Sequence, residues 1–545
     1  MRENATAWRR LALPLGILAV GIALAALLAW PKRAPGYMDA YYHVVIAQRI
    51  AGGQGLTEPF IWNFLQQPET IPQPSHLYWS PLPSLLAAGS IKVLGDSYLA
   101  ASLPFILCAA ALPLLTFFLA RRIGATEKEA FASGILITLA GFYAAYWTSP
   151  DSFAPFALAG CAALCFTAHA GKNRWYALLA GLFAGLGHLA RPDGVLLLAV
   201  GVLWLVWRGA RAGMEARSTT GAGRETRATL RAVAWMLAGY LVVMAPWYAR
   251  TWAVAGSPLA GGGLRALFLR NYDELYAALH FPSAGDYLAW GWGNILASKG
   301  NALLSNLATL LGAGMFALAP LAVWGWWANR RHPLATPMTL FGGLLYLSMS
   351  LAFTFPGVRG SFFHSAGALL PFGFATVFPG LRAAVAWISA RRRDWNPAQA
   401  YRVFSVSLVT LALLVSGLLY ARSLGGSPPA LPAWNERDSV YAAASRWLDA
   451  HAAPEERVMV NNPPAFYYFA GRECVVIPSD GLDALRFVRD KYDVQWLLLE
   501  YNHPRFLNAV YADDEALPGW TVRQVFTDAT GMKAVLYEAQ TVSAQ

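Results

Sequence analysis

The stretch LALPLGILAVGIALAALLAW, residues 11–30, runs directly into PKRAPGYMDAYYHVVIAQRI, residues 31–50. Its first half is an uninterrupted apolar run of the length a helix needs to cross about 30 Å of hydrocarbon. Arg2, Arg9 and Arg10 precede it, and Pro31, Lys32 and Arg33 follow. The run exceeds the apolar core of roughly 7–15 residues in a cleaved leader, so it reads as a retained first span. In the second half, helical spacing puts Asp39, Tyr42, His43, Ile46 and Ile50 along one side. A carboxylate and an imidazole therefore project together just beyond the membrane, and the fold is organised around that crossing.

Working outward, further spans are predicted at about 98–120, 128–148, 152–170, 175–190, 194–208, 230–249, 302–327, 334–354, 366–388 and 402–420, about eleven in all. Of the 545 residues, 56% are hydrophobic and 13% are charged, with 22 Trp, 28 Phe and 23 Tyr. A soluble chain carries about a quarter of its residues as charges. The composition excludes disorder, collagen and a disulfide scaffold. Cys108, Cys161 and Cys165 lie in apolar blocks and Cys474 stands apart, so no structural disulfide is expected.

The net charge of +11 is explained by topology and does not require nucleic acid. With the amino terminus cytoplasmic, the inward segments hold Arg2, Arg9, Arg10, Arg121, Arg122, Lys128, Lys172, Arg174, Arg208, Arg211, Arg217, Arg224, Arg227, Arg231, Arg330, Arg331 and Arg391 to Arg393. The short outward loops hold little more than Arg191 and Arg359. Residues 1–420 then form a transmembrane domain with outer loops at about 31–97 and 250–301. The inward loop 209–229 reads as a flexible, lipid-attracted connector. Residues 421–545 change composition and form a small extracytoplasmic α/β domain. Helices are expected at 439–450 and 481–492, strands at 457–460, 474–478 and 494–500, and a hairpin from 522–526 and 533–538.

The outward segments carry the groups able to do chemistry. Five prolines between Pro68 and Pro83 impose an extended path, and His76, Tyr78 and Trp79 within it suit stacking and hydrogen bonding to a sugar. Asp151, in Ser149-Pro150-Asp151-Ser152, either caps the following helix or opposes Asp39 across a cavity to bind a divalent ion, Mg or Mn. Arg191-Pro192-Asp193-Gly194 reads as a turn with a snorkelling arginine. In the second outer segment Arg250 ends a span and Glu274 follows as a further substrate-binding candidate. Arg359 and His364, among glycines ahead of a helix amino terminus, form a phosphate-binding candidate together with Arg250.

This arrangement resembles the GT-C class of membrane glycosyltransferases. Asp39-Ala40-Tyr41-Tyr42-His43 is similar to the Asp-x-Tyr-Tyr-His-like segment of the oligosaccharyltransferase group, and Asp151 stands where that group has an Asp-x-Asp pair. The tail, with Asn461 to Tyr468 and Gly471-Arg472, is similar to bacterial family-39-like enzymes. No Trp-Trp-Asp acceptor motif is present, and the Asp-Glu pair of many protein O-mannosyltransferases is missing from the first motif. The resemblance implies inverting transfer of a sugar from a polyprenyl-phosphate donor to a glycan, lipid or protein hydroxyl, at the outer face of a bacterial plasma membrane. Asp39 would be the base, with His43 and Asp151 beside it. A lipid-linked sugar flippase would instead place charges deep in the spans. A glycan ligase using a diphosphate-linked donor would need a larger cation cluster.

Overall fold

The computed structural model describes residues 2–215, 219–259, 265–354, 360–392, 394–427, 431–513, 516–528 and 530–540. Most predicted spans coincide with a helix, and two, 128–148 and 302–327, do so only in part. Among the described residues, six helices are long and apolar enough to cross a membrane, at Ala12–Ala29, Tyr98–Arg122, Pro192–Glu215, Gly223–Ala255, Ser361–Ser389 and Pro397–Gly425. Shorter apolar helices, Phe153–Thr167 and Ala335–Leu351, occupy two of the other predicted spans.

In chain order the first helices are α1 (Arg2–Ala29), α2 (Met38–Ala51), α3 (Leu82–Leu94), α4 (Tyr98–Arg122), α5 (Glu127–Thr138), α6 (Phe153–Thr167), α7 (Arg174–Ala190), α8 (Val195–Glu215) and α9 (Thr219–Ala255). Local chemistry sets their ends. Ser97 caps α4, and Thr126 with Glu129 forms a reciprocal capping box on α5. Glycines set the approach of α7 to α9. A Cβ on Gly181 would lie 1.8 Å from the Met236 carbonyl oxygen, and one on Gly239 would lie 2.1 Å from that of Leu178.

Three expectations are corrected. The inward connector is largely helical, because α8 extends to Glu215 and α9 begins at Thr219. Its alanines and arginines are strong helix formers. Arg217 and Arg393 lie outside the described residues. The predicted span 128–148 is the short helix α5 followed by a turn of 3₁₀-helix at Gly141–Ala145. The predicted span 302–327 divides into Trp292–Ala313 and Ala319–Ala328, with Met315 and Phe316 at φ 52° and 55° between them.

On the outer side, β1 (Thr57–Glu58) pairs antiparallel with β3 (Gln73–Pro74) between α2 and α3. The tail forms β4 (Arg457–Val460), β5 (Cys474–Val476), β6 (Val494–Leu499), β7 (Trp520–Thr527) and β8 (Lys533–Ala539), close to the predicted limits. Its sheet is not made by the tail alone. β2 (Phe60–Ile61), from the first outer loop, joins parallel to β5 as an edge strand in the order β2-β5-β4-β6-β8-β7. A helix the sequence reading missed, Pro463–Ala470, packs its aromatic face on α2, with Tyr41 5.2 Å from Tyr468.

The join between membrane helices and tail is tight. Trp434 donates its indole N–H to the Ala34 carbonyl at 3.0 Å, and Arg437 reaches the Gly36 carbonyl at 3.2 Å. Gly36 has φ +80°, and a Cβ there would lie 2.3 Å from the Trp434 ring. Only glycine satisfies both the conformation and the contact.

Candidate active site

Asp39 sits in the first turn of α2, where the partial positive charge of the helix end favours a carboxylate. Asp151 stands in the turn before α6, buried to 2% exposure. His364 lies in the short helix Ser361–Ser365 and stacks on Phe153 at 4.1 Å. These three groups, far apart in sequence, converge so that one ligand atom of each lies within 4.8 Å of the others. Tyr37 donates to Asp151 Oδ2 at 2.9 Å, and His364 Nδ1 is 3.9 Å from the same oxygen.

The two carboxylates differ in environment. Burial, and then the charge of Asp151, push Asp39 up to about 7. Burial also opposes the Asp151 charge, yet His364, His43, the Ser152 N–H and Arg191 hold it below the usual carboxylate range. Because burial pushes His43 itself down to about 4, its imidazole is neutral at neutral pH. The Asp151 charge then rests on the hydroxyl of Tyr37, the Ser152 N–H and the guanidinium of Arg191. Near pH 7 Asp39 is therefore about half protonated while Asp151 stays ionised, so a working fraction of Asp39 is free to accept a proton.

Arg191 is the cation of this site. Its side chain, 12% exposed, bonds Asp193 Oδ1 at 3.1 Å, Ser365 Oγ at 3.0 Å and Ser152 Oγ at 3.2 Å. The sequence reading as a snorkelling turn residue is corrected: the 3₁₀ turn Pro192–Gly194 directs the guanidinium inward, where Asp193 braces it. A signal was present, since Arg191 is one of two basic residues in the short outward loops, where topology does not require them.

The other predicted site residues separate. Arg359 lies outside the described residues. Arg250 gives Nη2 to the Leu56 carbonyl at 3.2 Å, lies over Trp247 at 4.8 Å and acts on Glu58, away from the acidic pair. Glu274 has both oxygens held by Arg270, at 2.7 and 2.8 Å, in a local brace. His76 is 3% exposed, and both ring nitrogens are bonded to serines at 2.9 Å, so it is a framework residue, not one open to substrate. Trp79 stacks on Trp62 with ring centres 3.8 Å apart, and Tyr78 meets Trp62 edge-on at 5.1 Å. Buried Trp62 and half-buried Tyr78, with Glu58, Asn63, Gln66 and Gln73, line a small, shallow cleft that Trp79 does not reach.

Lys32 reads in the sequence only as a flank of the first span. It is buried, donates to the Ala145 carbonyl and to Thr148 Oγ1 at 2.9 Å, and sits over the Trp434 ring at 5.1 Å. It fastens the turn that carries Asp151 to the end of the first span.

Comparison with known proteins follows this geometry. A protein-family model described as dolichyl-phosphate-mannose-protein mannosyltransferase matches residues 79–246. ArnT from Cupriavidus metallidurans bound to undecaprenyl phosphate superposes with TM-score 0.56 at 13% identity, covering 99% of each chain. The fold is that of the GT-C glycosyltransferases. The archaeal oligosaccharyltransferase AglB from Archaeoglobus fulgidus, in complex with an inhibitory peptide and a dolichol-phosphate, gives a TM-score of 0.52 at 11% identity, covering 99% of this chain and 75% of that one. No curated protein sequence matches the chain. The GT-C fold bears out the expected helical membrane architecture; at such identities the likeness carries the fold, and residue roles must come from this chain's own geometry.

Proposed function

We propose that this GT-C protein transfers a sugar from a polyprenyl-phosphate donor to an acceptor hydroxyl, with inversion, at the outer face of a bacterial plasma membrane. The amino terminus lies in the cytoplasm and the tail outside. One observation carries the reading: two carboxylates of unequal proton affinity and an arginine meet at the outward end of the helices, beneath an aromatic, polar outer loop. The basic turns near Arg121, Arg122 and Arg174 mark the opposite end of the same helices.

Asp39 accepts the proton of the acceptor hydroxyl. Its affinity near neutrality suits a general base working at physiological pH. Asp151, kept ionised, orients that hydroxyl and stabilises the proton once it reaches Asp39. Arg191 supplies positive charge where the departing lipid phosphate accumulates negative charge. Because a phosphate ester leaves readily, holding donor and acceptor in line contributes as much as proton transfer. Half-buried Tyr78, at the cleft beside Asn63 and Gln66, would meet the sugar, with Trp79 stacked on Trp62 behind it.

Asp39, Asp151 and His364 also fit a divalent cation, since two close carboxylates with an imidazole make a chelating set. The imidazole favours Mn²⁺ over Mg²⁺. Such an ion would act as a Lewis acid on an oxygen of the donor or acceptor.

The test places wild type and Asp39→Asn in liposomes with radiolabelled polyprenyl-phosphate sugars and host membrane extract. Label leaves the donor with wild type and stays with the variant. If label stays intact but changes leaflet, the protein is a carrier and the proposal fails.

A further inference from the structure

Behind the acidic pair runs a buried chain of four side chains that the glycosyl-transfer reading leaves unused. Ser75 Oγ lies 2.9 Å from His76 Nδ1, His76 Nε2 lies 2.9 Å from Ser84 Oγ, and Ser84 Oγ lies 2.9 Å from His43 Nδ1. Ser75 and Ser84 are fully buried and both histidines are 3% exposed. Ser84 belongs to the first turn of α3, His43 to α2, and His76 to the loop between them. His76 takes the left-handed conformation, φ 59°, unusual for a residue with a Cβ. In that conformation its N–H donates to the Tyr42 hydroxyl at 2.7 Å while its ring reaches both serines.

Burial lowers the proton affinity of both rings, so each is neutral and carries one ring hydrogen. A serine hydroxyl also carries one. Ser84 lies between two ring nitrogens and can donate to only one of them, so the other must donate to it. Two arrangements follow. In one, Ser75 donates to His76 Nδ1, His76 Nε2–H donates to Ser84, and Ser84 donates to His43 Nδ1, leaving the His43 hydrogen on Nε2. In the other every bond reverses, His43 Nε2 is bare, and the Ser75 hydrogen is left without an acceptor among the described residues. The first arrangement leaves only the His43 Nε2–H without a protein acceptor, and that atom is not among the enclosed unpartnered ones, so a ligand or water can accept from it. The second leaves the hydrogen of the fully buried Ser75 unpaired, at about 1–3 kcal/mol, which selects the first.

We infer that Ser84 and His76 are positioning residues that lock His43 and His76 into the same Nε2–H tautomer, so that His43 presents a hydrogen-bond donor to the acidic site. His43 is then neither a base nor a metal ligand. It is a fixed donor that orients the carboxylate or a bound hydroxyl, and Ser84 sets its ring angle. The kinetic part of this inference rests on the glycosyl-transfer reading, but the proton arrangement does not.

The experiment is ¹⁵N nuclear magnetic resonance of the full-length, histidine-labelled protein in lipid, with ring signals assigned from His43→Asn and His76→Asn spectra. In wild type, both rings show a bare Nδ1 and a protonated Nε2. Ser84→Ala converts His43 to a mixture of tautomers and lowers kcat about tenfold at unchanged KM, the size of a modest loss of orientation; Ser84→Thr restores both. Wild-type rings in different tautomers, or an unchanged His43 spectrum in Ser84→Ala, would overturn the inference. The wild-type spectrum decides even if Ser84→Ala does not fold. If no variant transfers sugar, the tautomers still decide the lock while the glycosyl-transfer reading fails separately.

Discussion

Tyr37 donates its hydroxyl hydrogen to Asp151 Oδ2 at 2.9 Å, tying the residue that opens the catalytic helix to an acidic turn far along the chain. The bond joins the two halves of the acidic pair mechanically, since Asp39 is two residues from Tyr37. Tyr37→Phe keeps the ring packing against Tyr146 and Trp434 but removes this donor. Loss of a hydrogen bond to a charged group is worth about 1.5–3 kcal/mol. The expected result is a ten- to hundredfold fall in transfer rate, by roughly that arithmetic, with unfolding temperature little changed. A rate equal to wild type would remove Tyr37 from the machinery.

The acidic pair acts as a unit. Asp39→Asn and Asp151→Asn are each expected to lower the rate of donor turnover by about 10² to 10⁴, the range of a lost general base. The double variant should be little worse than either single one. Multiplying losses would show that the two carboxylates work independently.

Chelation tests the cation directly. Treating purified protein with a strong chelator should abolish turnover, and Mn²⁺ should restore it better than Mg²⁺. His364→Ala should weaken Mn²⁺ binding, measured by calorimetry, by tenfold or more. Full activity after exhaustive chelation would remove the ion from the mechanism.

Arg191 is held by a fork of contacts that a lysine cannot reproduce. Arg191→Lys is expected to lose about tenfold in kcat/KM and Arg191→Met about a thousandfold, with most of the loss in kcat because the charge matters as the phosphate departs. Rates with Arg250→Met should stay closer to wild type, since that guanidinium is engaged with Leu56 and Trp247.

In the tail, burial pushes Glu500 up to about 8 from an ordinary 4.5, and Tyr441 donates to it. A carboxyl raised on folding binds its proton in the folded state while the unfolded state has released it. This contribution is therefore fully present below about pH 4.5 and is lost as pH rises towards 8. Glu500→Gln should flatten the fall in unfolding temperature between pH 5 and 8 and be the more stable protein at pH 8. Identical slopes for variant and wild type would place the pH dependence elsewhere, with Asp438 and Glu58, which are raised in the same way, the next residues to test.

Much of this was legible in the sequence because hydrocarbon is an unforgiving solvent. Most predicted spans have their helix, and the strands Arg457–Val460 and Val494–Leu499 follow from runs of β-branched and aliphatic residues. Asp39 and Asp151 were visible as carboxylates flanking spans on one face. What was not legible depends on partners distant in sequence. Phe60–Ile61 becomes a strand only because Cys474–Val476 offers an open edge. Arg191 and His76 carry no periodic signal, and their roles come from Ser152, Ser365 and Ser84, which the chain brings beside them only on folding.

That borrowed strand also sets an order of assembly. β2 is synthesised early, and its edge stays unpaired until the ribosome has delivered β5 hundreds of residues later. Trp434, also far along the chain, closes over Gly36 just ahead of α2, adding to the hold that α3 and Asp151 already give that helix. An unfinished chain thus carries the reactive groups with only part of the frame that aims them.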